Sequence, residues 1–421
     1  MANTANRSNQ MEATATGELT PASHRDAVLA SFLGWTLDAF DFFLVSLSFT
    51  AIAQEFHRKD EAIALSITLT LAFRPLGAFI FGALADRYGR RLPLMIDLIF
   101  YSILEVLTGL APNYASFLVL RALFGIGMGG EWGVGATLAM EKVPTKHRGV
   151  LSGLLQEGYA AGYLLAAICS YFILPKWGWR PMFFIGGLPA LLAIFVRLRV
   201  KESEVWERGQ KHQSWGDLGR ALLPHWKIFL YLALMMMAMN LISHGTQDLF
   251  PKLLQQQFSY TVKQASALTA FSMLGAIAGG ICFGYYSDRT GRRRAMIVAM
   301  LIGIAVVPIW AVSPFTANVL SFLPLAVILY TGAFLMQFMV QGAWGVIPAH
   351  LTELSPGAVR GFMPGFAYQM GVLLASWVPT AETFLAKRMG YAPAMALTAV
   401  TVLSFGVVVA AVGKERHAVS F

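Results

Sequence analysis

A ten-residue loop sequence occurs twice in this chain, and the two copies lie 202 positions apart. GALADRYGRR at 82–91 returns as GYYSDRTGRR at 284–293, and each copy ends one apolar segment and begins the next. A second pattern at 130–149 returns 212 positions later at 342–361, with its Trp, Glu, Pro and Arg residues in register. Two independent patterns at nearly the same spacing indicate two related halves. Duplicated bundles around a midplane cavity are the usual build of secondary transporters.

The composition places the chain in a lipid bilayer. Hydrophobic residues make up 56% of the 421 positions, charged residues make up 13%, and the mean hydropathy is +0.58. A soluble fold of this length could not bury so much apolar surface. The basic residues behind the pI near 9.6 lie between apolar segments, where they set membrane topology. This distribution argues against nucleic-acid binding. Cys169 and Cys282 lie inside apolar segments and are interpreted as small packing residues.

Twelve apolar segments are long enough to cross a bilayer, which takes about 20 residues each. We predict an all-α membrane protein with twelve transmembrane helices in two pseudo-symmetric six-helix bundles. Spans 1 to 6 are predicted at about 27–53, 62–86, 92–111, 114–141, 148–173 and 181–198. Spans 7 to 12 are predicted at about 226–257, 264–287, 294–312, 316–350, 361–384 and 391–412.

Basic residues are concentrated on one side of this array, which is therefore predicted to be the cytosolic side. Both termini are expected there. The first residues contain no apolar core of the kind that a signal peptide needs and are predicted to be disordered. The predicted organisation is a cytosolic tail at 1–25, a first bundle at 26–198, an amphipathic cytosolic linker at 199–225, a second bundle at 226–412 and a cytosolic tail at 413–421.

Arg74 lies near the middle of predicted span 2, where an arginine costs roughly 2.5–3.5 kcal/mol on insertion scales. We therefore predict that it faces a water-filled cavity, where its planar guanidinium fits a carboxylate. The equivalent position in the second half is Ala276, so the charge is not part of the repeated scaffold. The alternative is a structural ion pair with Asp38 or Asp41 of span 1.

A polar stripe runs along span 7. Asn240, His244 and Asp248 follow one another at four-residue spacing, with Ser243 and Gln247 beside them, so they share one helix face. His244 and Asp248 form a candidate proton relay, and a charged histidine can hydrogen-bond a carboxylate. The alternative is a purely structural histidine. No further His, Cys or carboxylate cluster completes a metal-ligand set, so we predict no metal and no cofactor, with the proton as coupling ion.

The repeated loop, GxxxDRxGRR at 82–91, resembles the signature loop of the major facilitator superfamily. RxxxGxxxG at 121–129 resembles a second signature of that superfamily. The resemblance implies twelve helices in two bundles that rock about a central site, and it implies that Arg121 couples to a nearby acid. It also implies an ionic latch that breaks when the halves rotate. The residues of this gating motif are Gly82, Asp86, Arg87, Gly89, Arg90, Asp288, Arg289 and Arg292.

A second resemblance concerns the cargo. NLISHGTQD at 240–248 resembles the NxxSHxTQD pattern of fungal lactate permeases and related bacterial carboxylate carriers, and GWTLDAFDF at 34–42 is similar to the same branch. The resemblance implies proton-coupled monocarboxylate transport in the sialate and lactate/pyruvate symporter branch. Lys252 stands where that pattern usually has a threonine.

The candidate site draws on both halves. Spans 5 and 11 begin with the same pattern and face each other in the implied fold, so their polar and aromatic residues are candidate wall residues; for the tyrosines, simple packing is the alternative. Acids within the membrane are candidate proton carriers. The predicted substrate-binding residues are Arg74, Tyr159, Tyr163, Asn240, His244, Gln247 and Gln369. The predicted proton-coupling residues are Asp38, Asp41, Arg121, Glu131, His244 and Asp248.

We therefore predict a monomeric symporter that carries a small organic anion, lactate or pyruvate, together with a proton across a bacterial inner membrane. Sialic acid, an aromatic acid or a dicarboxylate are the alternative cargoes, the last if Lys252 reaches inward. A transporter-like membrane sensor is the rival from a different class. An enzyme is disfavoured because the sequence has no nucleophile elbow, HExxH motif or Cys/His set.

Overall fold

The computed structural model describes residues 21–209, 215–312, 322–416 and 419–421, and no strand occurs among them. The predicted all-α class is confirmed. Within the described residues, eleven helical segments are long and apolar enough to cross a membrane. Predicted span 11 is not among those eleven, and in the structure it consists of two helices, Met363–Ala375 and Val378–Met389.

The helices of the first half follow the predicted order. Spans 1 to 4 are the continuous helices Pro21–Glu55, Asp60–Tyr88, Arg91–Gly109 and Tyr114–Lys142. Span 5 consists of Arg148–Gln156 and Gly158–Trp177, and span 6 consists of Arg180–Ile185 and Pro189–Arg199.

The second half repeats this order. Span 7 consists of Trp226–Gln247 and Phe250–Phe258, and span 10 consists of Leu325–Gly345 and Ile347–Leu354. Prolines at the first or second position of Phe250–Phe258, Ile347–Leu354 and Val378–Met389 fit these breaks, because proline is favoured in a first helical turn, where its missing N–H group would have no intrahelical partner. Spans 8, 9 and 12 are the continuous helices Val262–Thr290, Arg292–Trp310 and Tyr391–Val412.

Two predicted non-membrane segments are partly described. Residues 1–20 of the predicted tail lie outside the described residues, and the helix of span 1 already begins at Pro21. The linker contains the short helices Glu204–Arg208 and Trp215–Leu222, while 210–214 lie outside the described residues. The Trp206 indole donates a hydrogen bond to the backbone oxygen of Asp86 at 2.8 Å. The first part of the linker is thereby held against the repeated loop.

The two halves meet through pseudo-symmetric helix pairs. Span 2 packs against span 11, and span 8 packs against span 5. Span 4 also approaches span 11 so closely that a Cβ atom at Gly133 would lie 2.5 Å from the Cα atom of Gly365. No side chain fits at this contact, so the glycine is required by the approach of the two backbones.

Candidate functional site

The aspartates of the repeated loops each bind the opposite half of the molecule. Asp86 accepts hydrogen bonds at 2.7 and 3.0 Å from two backbone N–H groups at the start of span 11. Asp288 accepts hydrogen bonds at 2.7 and 3.0 Å from two backbone N–H groups at the start of span 5. A carboxylate at a helix start satisfies free N–H groups and interacts favourably with the helix dipole. The two halves are therefore joined twice on this side.

A buried arginine holds each aspartate in place. Arg90 donates to Asp86 at 2.9 Å, and Arg292 donates to Asp288 at 2.8 Å. The same arginines make paired hydrogen bonds of 3.0 to 3.3 Å with a carboxylate from span 4 or span 10. We call this set the ionic lock, and its members are Asp86, Arg90 and Glu141 with their equivalents Asp288, Arg292 and Glu353.

One ion pair of the second half also crosses to the first. Arg148, at the start of span 5, donates to Glu353 at 3.1 Å. The equivalent pair, Arg360 with Glu141, is longer at 3.8 Å. The lock therefore contains one close cross-bundle ion pair and one weaker counterpart.

Other residues of the gating motif have different positions. Gly89 and Gly291 turn the chain with φ of 95° and 97°, a conformation that other residues rarely adopt. Arg87 and Arg289 lie over the rings of Tyr88 and Tyr285. The arginine that anchors the aspartate is thus the later one, Arg90 or Arg292. Gly82 packs against the start of span 11, where a Cβ atom would lie 2.9 Å from the Cα atom of Phe362.

Sequence reasoning missed a second pair of carboxylates at these loops. Glu202 accepts hydrogen bonds from the backbone N–H groups of Arg90 and Arg91 at 2.9 and 3.1 Å. Glu415 accepts them from the equivalent groups of Arg292 and Arg293 at 3.0 and 2.9 Å. The available signal was a Lys-Glu dipeptide at 201–202 that recurs 213 positions later at 414–415, within one residue of the offset of the second repeated pattern.

A cavity of about 460 Å³ lies between the two halves. This volume falls within the range of small-molecule sites, about 300–1,000 Å³. Span 7 begins on the predicted cytosolic side, which is also the side of the ionic lock. The residues of span 7 that form part of the cavity wall lie in its second half. The cavity therefore lies away from the ionic lock. Its lining includes Trp35, Phe43, Glu157, Tyr159 and Tyr163 from the first half, and Asn240, His244, Gln247, Asp248, Trp344 and Tyr368 from the second.

The span 7 stripe forms one wall of this cavity. His244 Nδ1 lies 3.0 Å from an Asp248 carboxylate oxygen, and the side chains are 36% and 37% exposed. The predicted contact between them is therefore present, and solvent reaches it. Gln247 donates to Gln337 of span 10 at 2.9 Å, while Asn240 donates to a backbone oxygen of its own helix at 2.8 Å. The Gln247 amide thus joins spans 7 and 10.

Aromatic rings surround the deeper part of the cavity. Trp35 stacks on Tyr159 at 5.4 Å, and Tyr368 stacks on Trp132 at 4.6 Å and contacts Trp344 edge-on at 5.9 Å. Trp132 and Trp344 are the tryptophans of the second repeated pattern. The sequence repeat therefore contained a signal for this aromatic cluster, although sequence reasoning did not assign these residues to the site.

Arg74 lies behind the cavity wall. Its guanidinium carbon is 5.7 Å from the ring centre of Tyr368, the side chain is 4% exposed, and Arg74 is not part of the lining. Its Nε and Nη2 atoms have no hydrogen-bond partner in the described part of the chain. The alternative ion pair with Asp38 or Asp41 is not formed, since none of their carboxylate oxygens has a hydrogen-bond partner among the described residues. Arg74 thus contacts Tyr368, a residue of the cavity wall, without lining the cavity itself in this conformation.

The remaining predicted site residues are buried elsewhere. Asp38, Asp41, Glu131 and Gln369 are at most 1% exposed and do not line the cavity. Arg121 donates to Glu105 of span 3 at 2.8 Å, so the acid beside Arg121 comes from a residue outside the predicted site. The structure brings Tyr159, Tyr163, Asn240, His244, Gln247 and Asp248 together in the lining of one cavity. That lining does not include Arg74, Gln369, Asp38, Asp41, Arg121 or Glu131.

Glu157 is an additional acidic residue of the cavity. It stands at the break between the two helices of span 5, is 5% exposed, and lies against Gly280 of span 8 in the other half. Its Oε1 atom has no hydrogen-bond partner within the described ranges. The cavity wall thus carries two carboxyl groups, those of Glu157 and Asp248, and its lining contains no Lys or Arg from the described residues.

Comparison with known proteins agrees with this architecture. The sequence matches the Major Facilitator Superfamily over residues 31–376 and 249–420. The chain belongs to that superfamily, whose members are membrane transporters and not enzymes.

Individual relatives point in the same direction. The chain is 30% identical over 382 residues to a carboxylic acid transporter protein homolog of Saccharomyces cerevisiae, covering 85% of this chain and 60% of the yeast protein. The chain therefore spans less than two thirds of that longer relative. A sialic acid transporter of Escherichia coli is 28% identical, covering 87% and 88% of the two chains.

A solved structure shares the fold. The proton:xylose symporter XylE, bound to 6-bromo-6-deoxy-D-glucose, superimposes with a TM-score of 0.71 at 19% identity, covering 94% of this chain and 97% of that one.

Proposed function

We propose that this transporter carries a small monocarboxylate, such as lactate or pyruvate, together with a proton across a bacterial inner membrane by alternating access. The observation that carries the proposal is the His244 and Asp248 pair, 3.0 Å apart, on the wall of a cavity between the halves. The two relatives described above are named for carrying acids, which supports an acidic cargo. The ionic lock joins the two halves on the predicted cytosolic side and leaves the cavity open only on the other side. This arrangement supports alternating access, in which one side of the transporter is open at a time.

The charges of the cavity supply the coupling. With Asp248 ionised and His244 neutral, the wall carries a negative charge, and like charges at close range repel a carboxylate. Protonation of the His244 and Asp248 pair removes this repulsion and supplies a donor for the incoming carboxylate. A bound proton therefore raises the affinity of the transporter for the anion. Thermodynamic linkage requires that the bound anion raises the affinity of the transporter for the proton by the same factor.

Uptake into proteoliposomes tests the coupling directly. Purified protein is reconstituted, and accumulation of labelled lactate is measured with and without an inward proton gradient. We expect accumulation above the external concentration only with the gradient. Binding of lactate without gradient-driven accumulation would instead support a sensor and contradict the symporter.

An aromatic acid is a second candidate cargo. At about 30 Å³ per water-sized group, a cavity of about 460 Å³ has room for an acid larger than lactate. The rings of Trp35, Tyr159, Trp344 and Tyr368 offer faces on which a planar cargo can stack. The dicarboxylate alternative has less support, because Lys252 is exposed and does not line the cavity.

Competition separates these cargoes. Labelled lactate uptake is measured in the presence of an excess of benzoate, succinate, pyruvate or unlabelled lactate. Benzoate that inhibits far better than unlabelled lactate would assign the cavity to aromatic acids, whereas inhibition by unlabelled lactate and pyruvate alone would support the small monocarboxylate.

Arg74→Ala is predicted to abolish lactate uptake while the protein still reaches the membrane. In this conformation the Arg74 guanidinium contacts the ring of Tyr368. A movement of that ring during the transport cycle would bring the guanidinium to the cargo. Arg74→Lys keeps the charge but loses the bidentate geometry, and we expect uptake to fall at least tenfold. Undiminished uptake by Arg74→Ala would remove Arg74 from the binding site.

A further inference from the structure

The last residues of the described chain reach the seam between the two halves on the side of the ionic lock. The backbone oxygen of Val419 accepts a hydrogen bond from Arg148 at 2.8 Å. The ring of Phe421 lies between two guanidiniums, with ring-centre distances of 4.0 Å to Arg148 and 3.8 Å to Arg360. The aromatic side chain is therefore held by two cations at once.

These two arginines are equivalent positions of the sequence repeat. Arg148 begins span 5 of the first half, and Arg360 precedes span 11 of the second half, at the offset of the second repeated pattern. The Phe421 ring thus lies near the pseudo-twofold axis, where the halves must separate when this side opens. It cannot stay stacked on both arginines after such a separation.

The surroundings of the ring form a defined site. A cavity of about 770 Å³ at this seam is bounded by both halves, by the linker and by Phe421 itself. Each arginine also faces a buried carboxylate of the ionic lock, Glu353 for Arg148 and Glu141 for Arg360. These acids offset the repulsion between two neighbouring guanidiniums and leave the guanidinium faces to the ring.

We propose that Arg148 and Arg360 form a docking site for the chain's own segment 419–421, and that the docked segment holds the two halves together on the side of the ionic lock. The segment is bound only while the arginines lie close together. Docking therefore favours the closed state of this side by the difference in its affinity for the two states.

Spin-label distances measure the closed state without any cargo. Labels are placed at Tyr88→Cys and Thr290→Cys, repeat-equivalent positions at the ends of spans 2 and 8, with Cys169 and Cys282 replaced by serine. Phe421→Ala removes the ring, and a chain shortened after Arg416 removes the segment but keeps Glu415. Because the ring contacts two guanidiniums at once and each cation–π contact favours the docked state, we expect both changes to raise the ratio of open to closed molecules by about tenfold.

Ser420→Ala is the matched control, since the Ser420 side chain is exposed, and its distance distribution should equal that of the parent. The same comparison is repeated in an Asp288→Asn background, in which the ionic lock is weakened. This background raises the open fraction, so a tenfold shift can be measured even if the parent protein is almost fully closed. Identical distributions for the parent, Phe421→Ala and the shortened chain in both backgrounds would overturn the proposal. The readout contains no transport step, so this result is independent of the proposed symport.

Discussion

Asp248→Asn is expected to abolish proton-driven accumulation of the cargo while exchange of labelled for unlabelled cargo across the membrane continues. Asparagine keeps the shape of the side chain beside His244 but cannot take up a proton. It also removes the carboxyl group that contacts His244 on the cavity wall, so the anion no longer needs a proton to enter. The accumulation ratio should fall to about 1, because an uncoupled carrier only equilibrates its cargo.

Proteoliposomes allow both modes to be measured on one preparation. Accumulation is driven by an inward proton gradient, and exchange is measured at equal pH on both sides at several pH values. In the parent the exchange rate should depend on pH, and in Asp248→Asn this dependence should weaken. Thr246→Val is the control on the same helix, since its hydroxyl donates to Ile242 of its own helix and it is absent from the lining. Full gradient-driven accumulation by Asp248→Asn would exclude Asp248 as the coupling residue.

The parts of the molecule that sequence reasoning predicted are those specified by local or repeated patterns. Residues four apart on a helix share a face, so the contact between His244 and Asp248 followed from their spacing alone. The repeated loops likewise indicated that Asp86 and Asp288 act as equivalents. Their partners were harder to predict, because Asp86 binds backbone N–H groups near Gly361, and a backbone donor has no sequence signature.

Arg74 shows where the sequence was insufficient. Its position in span 2 predicted its depth in the membrane, and its cost in lipid predicted that it would turn inward. The group that Arg74 contacts is the ring of Tyr368, which belongs to span 11 of the other half. Packing between distant spans decides whether an inward side chain lines a cavity or lies behind its wall, and no periodicity in one span encodes that choice.

The break in span 5 was missed for a related reason. The helix stops at Gln156 and restarts at Gly158, without a proline at the junction. A Glu157 side chain at this point reaches Gly280 of span 8. The cavity position of Glu157 therefore depends on a glycine more than one hundred residues away, and only the assembled halves reveal it.

Glu353→Gln is expected to give the largest loss of stability. The carboxylate is fully buried and bonds Arg292 twice, at 3.0 Å each, and Arg148 of the other half at 3.1 Å. Removing one partner of a buried ion pair leaves an uncompensated charge and costs about 3–5 kcal/mol. We expect the melting temperature of the purified protein to fall by roughly 5–10 °C. Glu415→Gln is the control, because Glu415 bonds the same loop from an exposed position and should change the melting temperature far less.

A double-mutant cycle tests whether Glu353 joins the halves as well as stabilising its own. The cycle combines Glu353→Gln with Arg148→Gln, and its repeat equivalent combines Glu141→Gln with Arg360→Gln. The Arg148 pair is 3.1 Å long and the Arg360 pair 3.8 Å, and buried charge interactions weaken with distance. The coupling energy should therefore be larger in the first cycle. Equal coupling in the two cycles, or none in the first, would mean that the close contact between Arg148 and Glu353 does not bind the halves to each other.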